Sequence, residues 1–223
     1  MYIPKLSTQY NFPSPHDATE EGIVAIGGDL SPNRILKAYR EGIFPWFATG
    51  DPIIWWSPTP RLILELNDFK LRKSLKKRMN HFTFKFDTAF EEVLQACASA
   101  PRKGQNGTWL QENMIEAYTT LHHMGYAHSI ESYHDNKLVG GLYGVVVGKV
   151  FCGESMFAIK SDASKAAFAF LIEFLKKHNF EFIDCQVPTD HLKSLGAKEV
   201  SREDFLEKLL PNVHCSVENV LWR

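Results

Sequence analysis

The sequence predicts a mixed α/β (α+β) protein with a small N-terminal domain, residues 1–60, and a larger C-terminal domain on a mixed sheet, residues 61–223. Three observations carry that expectation. The first sixty residues are dense in proline and large aromatic rings, and Pro58 and Pro60 interrupt the chain where that texture ends. From Arg61 onward, helical spacing alternates with short apolar runs. Between 138 and 187 a hairpin, a helix and a further buried strand follow one another, which makes an α/β layer.

Taken in order, Gly27-Gly28-Asp29-Leu30-Ser31-Pro32 opens a helix, with Ser31 as N-cap and Pro32 in the first helical position, and Gly42 closes it. The glycine pair is no phosphate loop, because the pattern G-x-x-x-x-G-K-[ST] is absent. Ile43 to Phe47 and Ile53 to Arg61 are proline-broken segments in which Trp55 and Trp56 read as core or domain seam. Six of the nine residues from Lys70 to Arg78 are basic (Lys70, Arg72, Lys73, Lys76, Lys77 and Arg78), with no acid among them. As a helix, this segment would bury Leu71, Leu75 and Met79. A strand is expected at Thr83 to Phe86, helices at Asp87 to Ser99 and Glu112 to Met124, and a polar loop at Pro101 to Gly107. Ala127 to Tyr133 reads as a strand before a turn at Asp135-Asn136. Leu138 to Val147 and Val150 to Met156 then pair around Gly148-Lys149. Asp162 is placed to cap a long helix through Lys177, with Phe168, Leu171, Ile172 and Leu175 on its apolar face. Phe180 to Val187 is a buried strand.

A chain of 223 residues, 44% of them hydrophobic, can bury one full core and a small second domain. A formal net charge of −1 argues against nonspecific coating of nucleic acid but leaves room for a local basic patch. No apolar run approaches the roughly 20 residues of a membrane span, and the N-terminus lacks a signal-peptide pattern, so a cytoplasmic location is expected, with a monomer as the default state. Cys97, Cys152, Cys185 and Cys215 are widely spaced, which indicates neither a disulfide frame nor a metal site. Cys152 and Cys185 read as small core residues. No histidine pairs visibly with a nucleophile, and the G-x-S-x-G turn of a hydrolase is absent.

The chemistry is expected where two apolar runs end in polar groups. Phe151 to Phe157 carries Glu154, and Phe182 to Gln186 carries Asp184 and Gln186. Read as strands, the runs bring both carboxylates and the amide together at one edge of a sheet beside an apolar wall. Two residues apart, Asp184 and Gln186 should face the same side. An apolar pocket with an acidic rim suits a substrate that has a hydrophobic part and a cationic or amine part.

The order of elements is similar to an acyltransferase fold of the N-acetyltransferase type, although the [QR]-x-x-G-x-[GA] pyrophosphate loop of acetyl-CoA enzymes is missing. Further motifs are more specific. Gly27 to Pro32, Gly42-Ile43-Phe44-Pro45-Trp46-Phe47, Trp55-Trp56-Ser57-Pro58, Gly107-Thr108-Trp109, His128-Ser129-Ile130-Glu131, Phe151 to Phe157, Ala163-Ser164-Lys165, Asp184-Cys185-Gln186 and Ser194-Leu195-Gly196-Ala197 resemble, in register, the bacterial leucyl/phenylalanyl-tRNA–protein transferases. The resemblance covers most of the chain. It implies transfer of Leu or Phe, less well Met, from aminoacyl-tRNA to a protein that begins with Lys or Arg, marking it for proteolysis through an N-degron route. No cofactor is implied, since an aminoacyl ester is already activated and positioning can carry most of the rate.

The resemblance also places residues. Leu142, Phe151, Met156, Phe168, Leu171 and Ile183 would line the pocket for the aminoacyl side chain. Trp46 and Trp109 would flank the terminal adenosine, where stacking is worth about 1–3 kcal/mol per base. Lys70, Arg72, Lys73, Lys76, Lys77 and Arg78 would hold the acceptor stem through its phosphates. In the family picture Gln186 handles the amine proton with Asp184 behind it. The residues themselves suggest that Gln186 orients the reactants while Asp184 and Glu154 hold the acceptor's N-terminus and cationic side chain. An acyl-CoA-dependent N-acyltransferase and a non-catalytic tRNA-binding module remain the alternatives.

Overall fold

The structure is a computed structural model that describes residues 3–7, 11–100, 110–215 and 222. Two sheets organise them. A four-stranded sheet uses β1 (Lys5–Leu6), β2 (Ile23–Gly27), β3 (Phe44–Pro45) and β4 (Ile54–Trp56) in the order β1-β2-β4-β3. Helix α1 (Pro32–Arg40) joins its second and third strands. Ser31 stands at the N-cap position of α1, but its hydroxyl makes no capping bond. Its backbone N–H instead donates to Asp29, which also pairs with the buried Arg34. Gly42 ends the helix with φ +77, and a Cβ there would meet Phe205 and Leu206.

The larger sheet contains β5 (Arg61–Glu65), β6 (Thr83–Phe86), β7 (Ala127–His134), β8 (Lys137–Val147), β9 (Val150–Ala158), β10 (Phe182–Gln186) and β11 (Lys198–Val200). Its order is β11-β5-β10-β9-β8-β7-β6. Only β9 and β10 pair parallel, at the middle of the sheet, and the other neighbours are antiparallel. This is the mixed sheet expected from hairpin, helix and strand. The β7–β8 turn uses Asp135 and Asn136, both at positive φ, which suits a two-residue hairpin turn.

Helices cover both faces. Helix α3 (Phe90–Ser99) and helix α4 (Glu112–His123) pack with Val93, Leu94, Met114 and Tyr118 in one cluster, which also contains Val24, Tyr39 and Trp55 from the N-terminal sheet region. On the other face α5 (Ala163–Lys177) buries Phe168, Leu171, Ile172 and Leu175 against Leu64, Ile130, Leu142, Phe151 and Ile183. Alternation along the strands makes this possible: Cys152 and Phe182 belong to the first cluster, Phe151 and Ile183 to the second. Short α6 (Asp190–Ser194) and α7 (Arg202–Leu209) finish the fold. Cys97, Cys152, Cys185 and Cys215 are free thiols.

Three local expectations need correction. Helix α3 starts at Phe90, not Asp87, because Asp87 sits at φ +55 and its carboxylate accepts from the Ser129 N–H and pairs with His128. The buried Glu131 carboxylate reaches the Thr88 and Ala89 N–H groups at the helix start instead. Asp162 precedes α5 but does not cap it, since its left-handed backbone turns the carboxylate toward Arg78 and Lys165. The basic helix α2 (Lys73–Met79) leaves Lys70, Leu71 and Arg72 before its start and buries only Leu75, while Leu71 and Met79 are half-buried.

Candidate functional site

The site begins where the central parallel pair stops pairing. Phe182, Ile183 and Asp184 of β10 face Val150, Phe151 and Cys152 of β9, and the register ends there although both strands continue. Immediately beyond, β9 shifts register against β8 at Glu154, and β10 shifts against β5 at Cys185. Each is a bulge, which bends its strand and re-aims the side chains around it. Gln186 completes the second bulge with φ +62, a conformation that costs a non-glycine residue of the order of 1 kcal/mol.

A cavity of about 300 Å³ opens in this gap. Leu142, Phe151, Met156, Phe168 and Ile183 supply apolar wall, and Gly153, Val187 and Leu192 extend it. Five of the six apolar residues expected at a pocket are therefore brought together. Leu171 is not on the wall: fully buried on α5, it packs behind in the same cluster as Phe168. The polar groups on the wall are Tyr143, Glu154, Ser155, Gln186, Thr189 and His191. This polar end lies in the middle of the sheet, midway along β9 and at the end of β10, and not at a sheet edge.

Glu154 is the hub. Its Oε1 accepts from Tyr39 Oη at 2.6 Å and from Gln186 Nε2 at 2.6 Å, and its Oε2 accepts from Tyr118 Oη at 2.9 Å. The two phenols are themselves 2.7 Å apart. Burial pushes the Glu154 carboxyl up to about 7, against the pull of its three hydrogen-bond donors, with the nearby Asp184 charge adding to the rise. Burial and the Glu154 charge raise both phenols well above the ordinary tyrosine range, so they stay protonated and donate.

Asp184 departs from the role that its spacing suggested. Its carboxylate takes two bonds from Arg61, Nε at 2.9 Å and Nη2 at 2.6 Å, and Oδ1 also accepts the Gln186 backbone N–H at 3.0 Å. Both partners are about 1% exposed, and the guanidinium lies over the Phe44 and Phe205 rings. Asp184 is thus enclosed and charge-compensated, and it holds the bulge that presents Gln186. The bulge also breaks strict alternation: the Asp184 side chain goes to Arg61 while that of Gln186 goes to Glu154 on the cavity wall.

Three participants were not singled out as site residues. Tyr118 carries only the apolar spacing of α4, and Tyr39 carries no local signal at all. Arg61 does carry one: a cation opening the apolar run Leu62-Ile63-Leu64 must find a buried partner. Among the RNA-directed expectations, Trp46 is half-buried, tilts against Trp56 at 5.8 Å between ring centroids, and is absent from the cavity wall. Trp109 lies outside the described residues. Lys70, Arg72, Lys73, Lys76, Lys77 and Arg78 are all exposed, with Arg78 paired to Asp162 at 2.9 Å. Among the described residues no group of His, Cys, Asp or Glu is arranged to hold a metal ion, and no helix is long and apolar enough to cross a membrane.

Comparison with known proteins places these features in a family. Residues 63–210 match the leucyl/phenylalanyl-tRNA protein transferase profile, and residues 28–59 match that of its N-terminal domain. A protein named leucyl/phenylalanyl-tRNA–protein transferase from Sulfurimonas denitrificans is 58% identical over 221 residues, covering 99% of this chain and 96% of that one. Proteins of the same name from Maridesulfovibrio salexigens and Nitrosospira multiformis are 51% and 50% identical, covering 94% and 99% of this chain and 88% and 96% of their own. Both sheet regions, the strand gap and every residue of the Tyr39–Tyr118–Glu154–Gln186 cluster fall within such nearly full-length matches, and the chain belongs to the leucyl/phenylalanyl-tRNA–protein transferase family.

Proposed function

We propose that the cavity between β9, β10 and α5 receives the Leu or Phe side chain of an aminoacyl-tRNA, and that Glu154 and Gln186 at its polar end receive the N-terminal amine of an acceptor protein beginning with Lys or Arg. The chain is an aminoacyltransferase, as its family membership establishes. The observation that supports this division of the site is the cavity itself: about 300 Å³ of largely apolar wall ending on one carboxylate and one amide. Its volume is that of about ten liquid waters, a size suited to a single large apolar side chain. Because an apolar wall distinguishes one methylene by only about 1–3 kcal/mol, selection among Leu, Phe and Met is graded.

Gln186 donates its N–H to Glu154, which leaves its carbonyl oxygen to accept from an incoming amine and fix the line of attack on the ester. Glu154 supplies the negative charge that an α-ammonium or a basic side chain seeks. Asp184 acts through the backbone of Gln186 as a positioning residue. The exposed cations from Lys70 to Arg78 hold the acceptor stem by its phosphates, with Trp46 and Trp109 available for the terminal adenosine. The reaction is that of a cytoplasmic monomer that marks acceptors for proteolysis.

Mass spectrometry tests this reading. Arg- and Lys-starting peptides incubated with the protein and Leu-tRNA or Phe-tRNA should gain one Leu or Phe, while Ala-starting peptides gain nothing. Acetylation by acetyl-CoA in place of that product would favour the acyl-CoA alternative. Binding of tRNA with no product would favour the module.

A further inference from the structure

The aminoacyl ester brings its own activation, but the attacking nitrogen must still lose a proton and the departing ribose oxygen must gain one. The cavity wall offers few groups for that work. Its ionisable side chains are Tyr143, Glu154, Cys185 and His191. Asp184 is closed off by the two Arg61 bonds, and the neutral Gln186 amide has no useful basicity. Burial lifts the Cys185 thiol far above its ordinary range and so keeps it protonated.

Glu154 is differently placed. Its Oε1 carries two donors and its Oε2 one, so Oε2 keeps a lone pair for a substrate proton beside the Gln186 amide. The groups that face it are Tyr39 from α1, Tyr118 from α4, Gln186 and the Arg61-paired Asp184 from β10, and Cys152 from its own strand.

We propose that Glu154 is the proton carrier of the transfer step, resting on the reading of this cavity as the aminoacyl and acceptor site. As the C–N bond forms, the Glu154 carboxylate takes one proton from the attacking amine. As the ester C–O bond breaks, its electron pair leaves with the ribose oxygen, which receives that proton from the Glu154 carboxyl. One N–H is lost, one O–H is gained, and the carboxylate is regenerated. A carboxyl held near neutrality is suited to both halves of this exchange. The two phenols and the Gln186 amide set that balance, because each donates to the ionised form. Tyr39 and Tyr118 are therefore positioning residues, and α1 carries one of them into the site from the N-terminal region.

The test is single-turnover transfer of Leu from Leu-tRNA to an Arg-starting peptide between pH 5.5 and 9, paired with an infrared titration of the Glu154 carboxyl in the free protein. The wild-type rate should fall toward acid with a midpoint near that carboxyl's own. Tyr39→Phe and Tyr118→Phe should each move both the rate limb and the carboxyl titration upward, by about one pH unit for a lost hydrogen bond to the charged form. Glu154→Gln should lower the rate by about 10²- to 10³-fold on the alkaline plateau and abolish the acid limb, so that the difference from wild type narrows toward pH 5.5, while tRNA affinity stays within about twofold. His191→Gln should leave the limb where it is. A limb that is unmoved in both phenol variants would overturn the proposal and assign the limb to the acceptor amine. Its loss in His191→Gln would overturn it in favour of that imidazole. If the wild type transfers nothing at any pH, the reading of the cavity falls and this inference with it; transfer with an unmoved limb removes the inference alone.

Discussion

At the scale of single residues, the strongest constraint is the enclosed Arg61–Asp184 pair. Removing one member strands the other charge in the core, which costs about 3–5 kcal/mol. Arg61→Met is therefore expected to lose about that much in urea unfolding, and transfer is expected to fall further than tRNA binding, because Asp184 without its guanidinium is no longer held where it accepts the Gln186 N–H at 3.0 Å. Glu154 carries the opposite liability. Its folded carboxyl sits at about 7 against about 4.5 unfolded, so its contribution is fully present below pH 4.5 and is lost as pH rises through 7. That shift corresponds to about 3 kcal/mol. Glu154→Gln should flatten this part of the stability–pH curve and be the more stable protein at pH 8, although it is nearly inactive. A variant whose curve retains the wild-type slope between pH 4.5 and 7 would contradict this assignment. The spacing of Asp184 and Gln186 made both residues visible in the sequence. Their separate destinations were not, because Asp184's partner lies 123 positions away and the bulge at Cys185 has no local sequence mark.

At the scale of elements, the paired bulges in β9 and β10 decide where the cavity opens. Gly144 of β8 sits against this region, and a Cβ there would lie 2.3 Å from the Cys152 carbonyl oxygen and 2.5 Å from the Phe151 ring. Gly144→Ala must displace β9 or push Phe151 into the cavity. A loss of about 1–3 kcal/mol in thermal unfolding is expected, with Phe transfer reduced more than Leu transfer. Helix α2 answers to different physics. Replacing Lys73, Lys76 and Lys77 by Glu should weaken tRNA binding and flatten its salt dependence by about 0.7–0.9 log units per phosphate contact removed, while thermal stability stays level. The long periodic segments, α4, α5 and the β8–β9 hairpin, were legible because their apolar spacing repeats over many residues. The start of α3 and the missing capping bond of α5 were not, since Asp87 and Asp162 read as helix-initiating residues but spend their carboxylates on other partners.

At the scale of the whole molecule, the N-terminal region is part of the site. Tyr39 bonds Glu154 at 2.6 Å, and Val24, Tyr39 and Trp55 share one apolar cluster with α3 and α4. Composition revealed the change of texture near Pro58 and Pro60 but not this joint, because a tyrosine on an amphipathic helix reads the same whether it faces core or carboxylate. The overall α/β layering followed from the order of elements, and the apolar wall from the end of two strand runs. The distances that turn a wall into a site come from contacts between residues far apart in sequence. If the aminoacyl side chain occupies the cavity beside Glu154 and Gln186, filling that cavity must slow transfer of the larger side chain. Met156 lines the wall but is only partly buried, so Met156→Trp should reduce the volume with little change in thermal stability. In single-turnover assays with saturating tRNA, this variant should transfer Phe about 10- to 100-fold more slowly, with tRNA affinity intact. Unchanged rates for both Leu and Phe in a folded Met156→Trp protein would put the aminoacyl side chain outside this cavity.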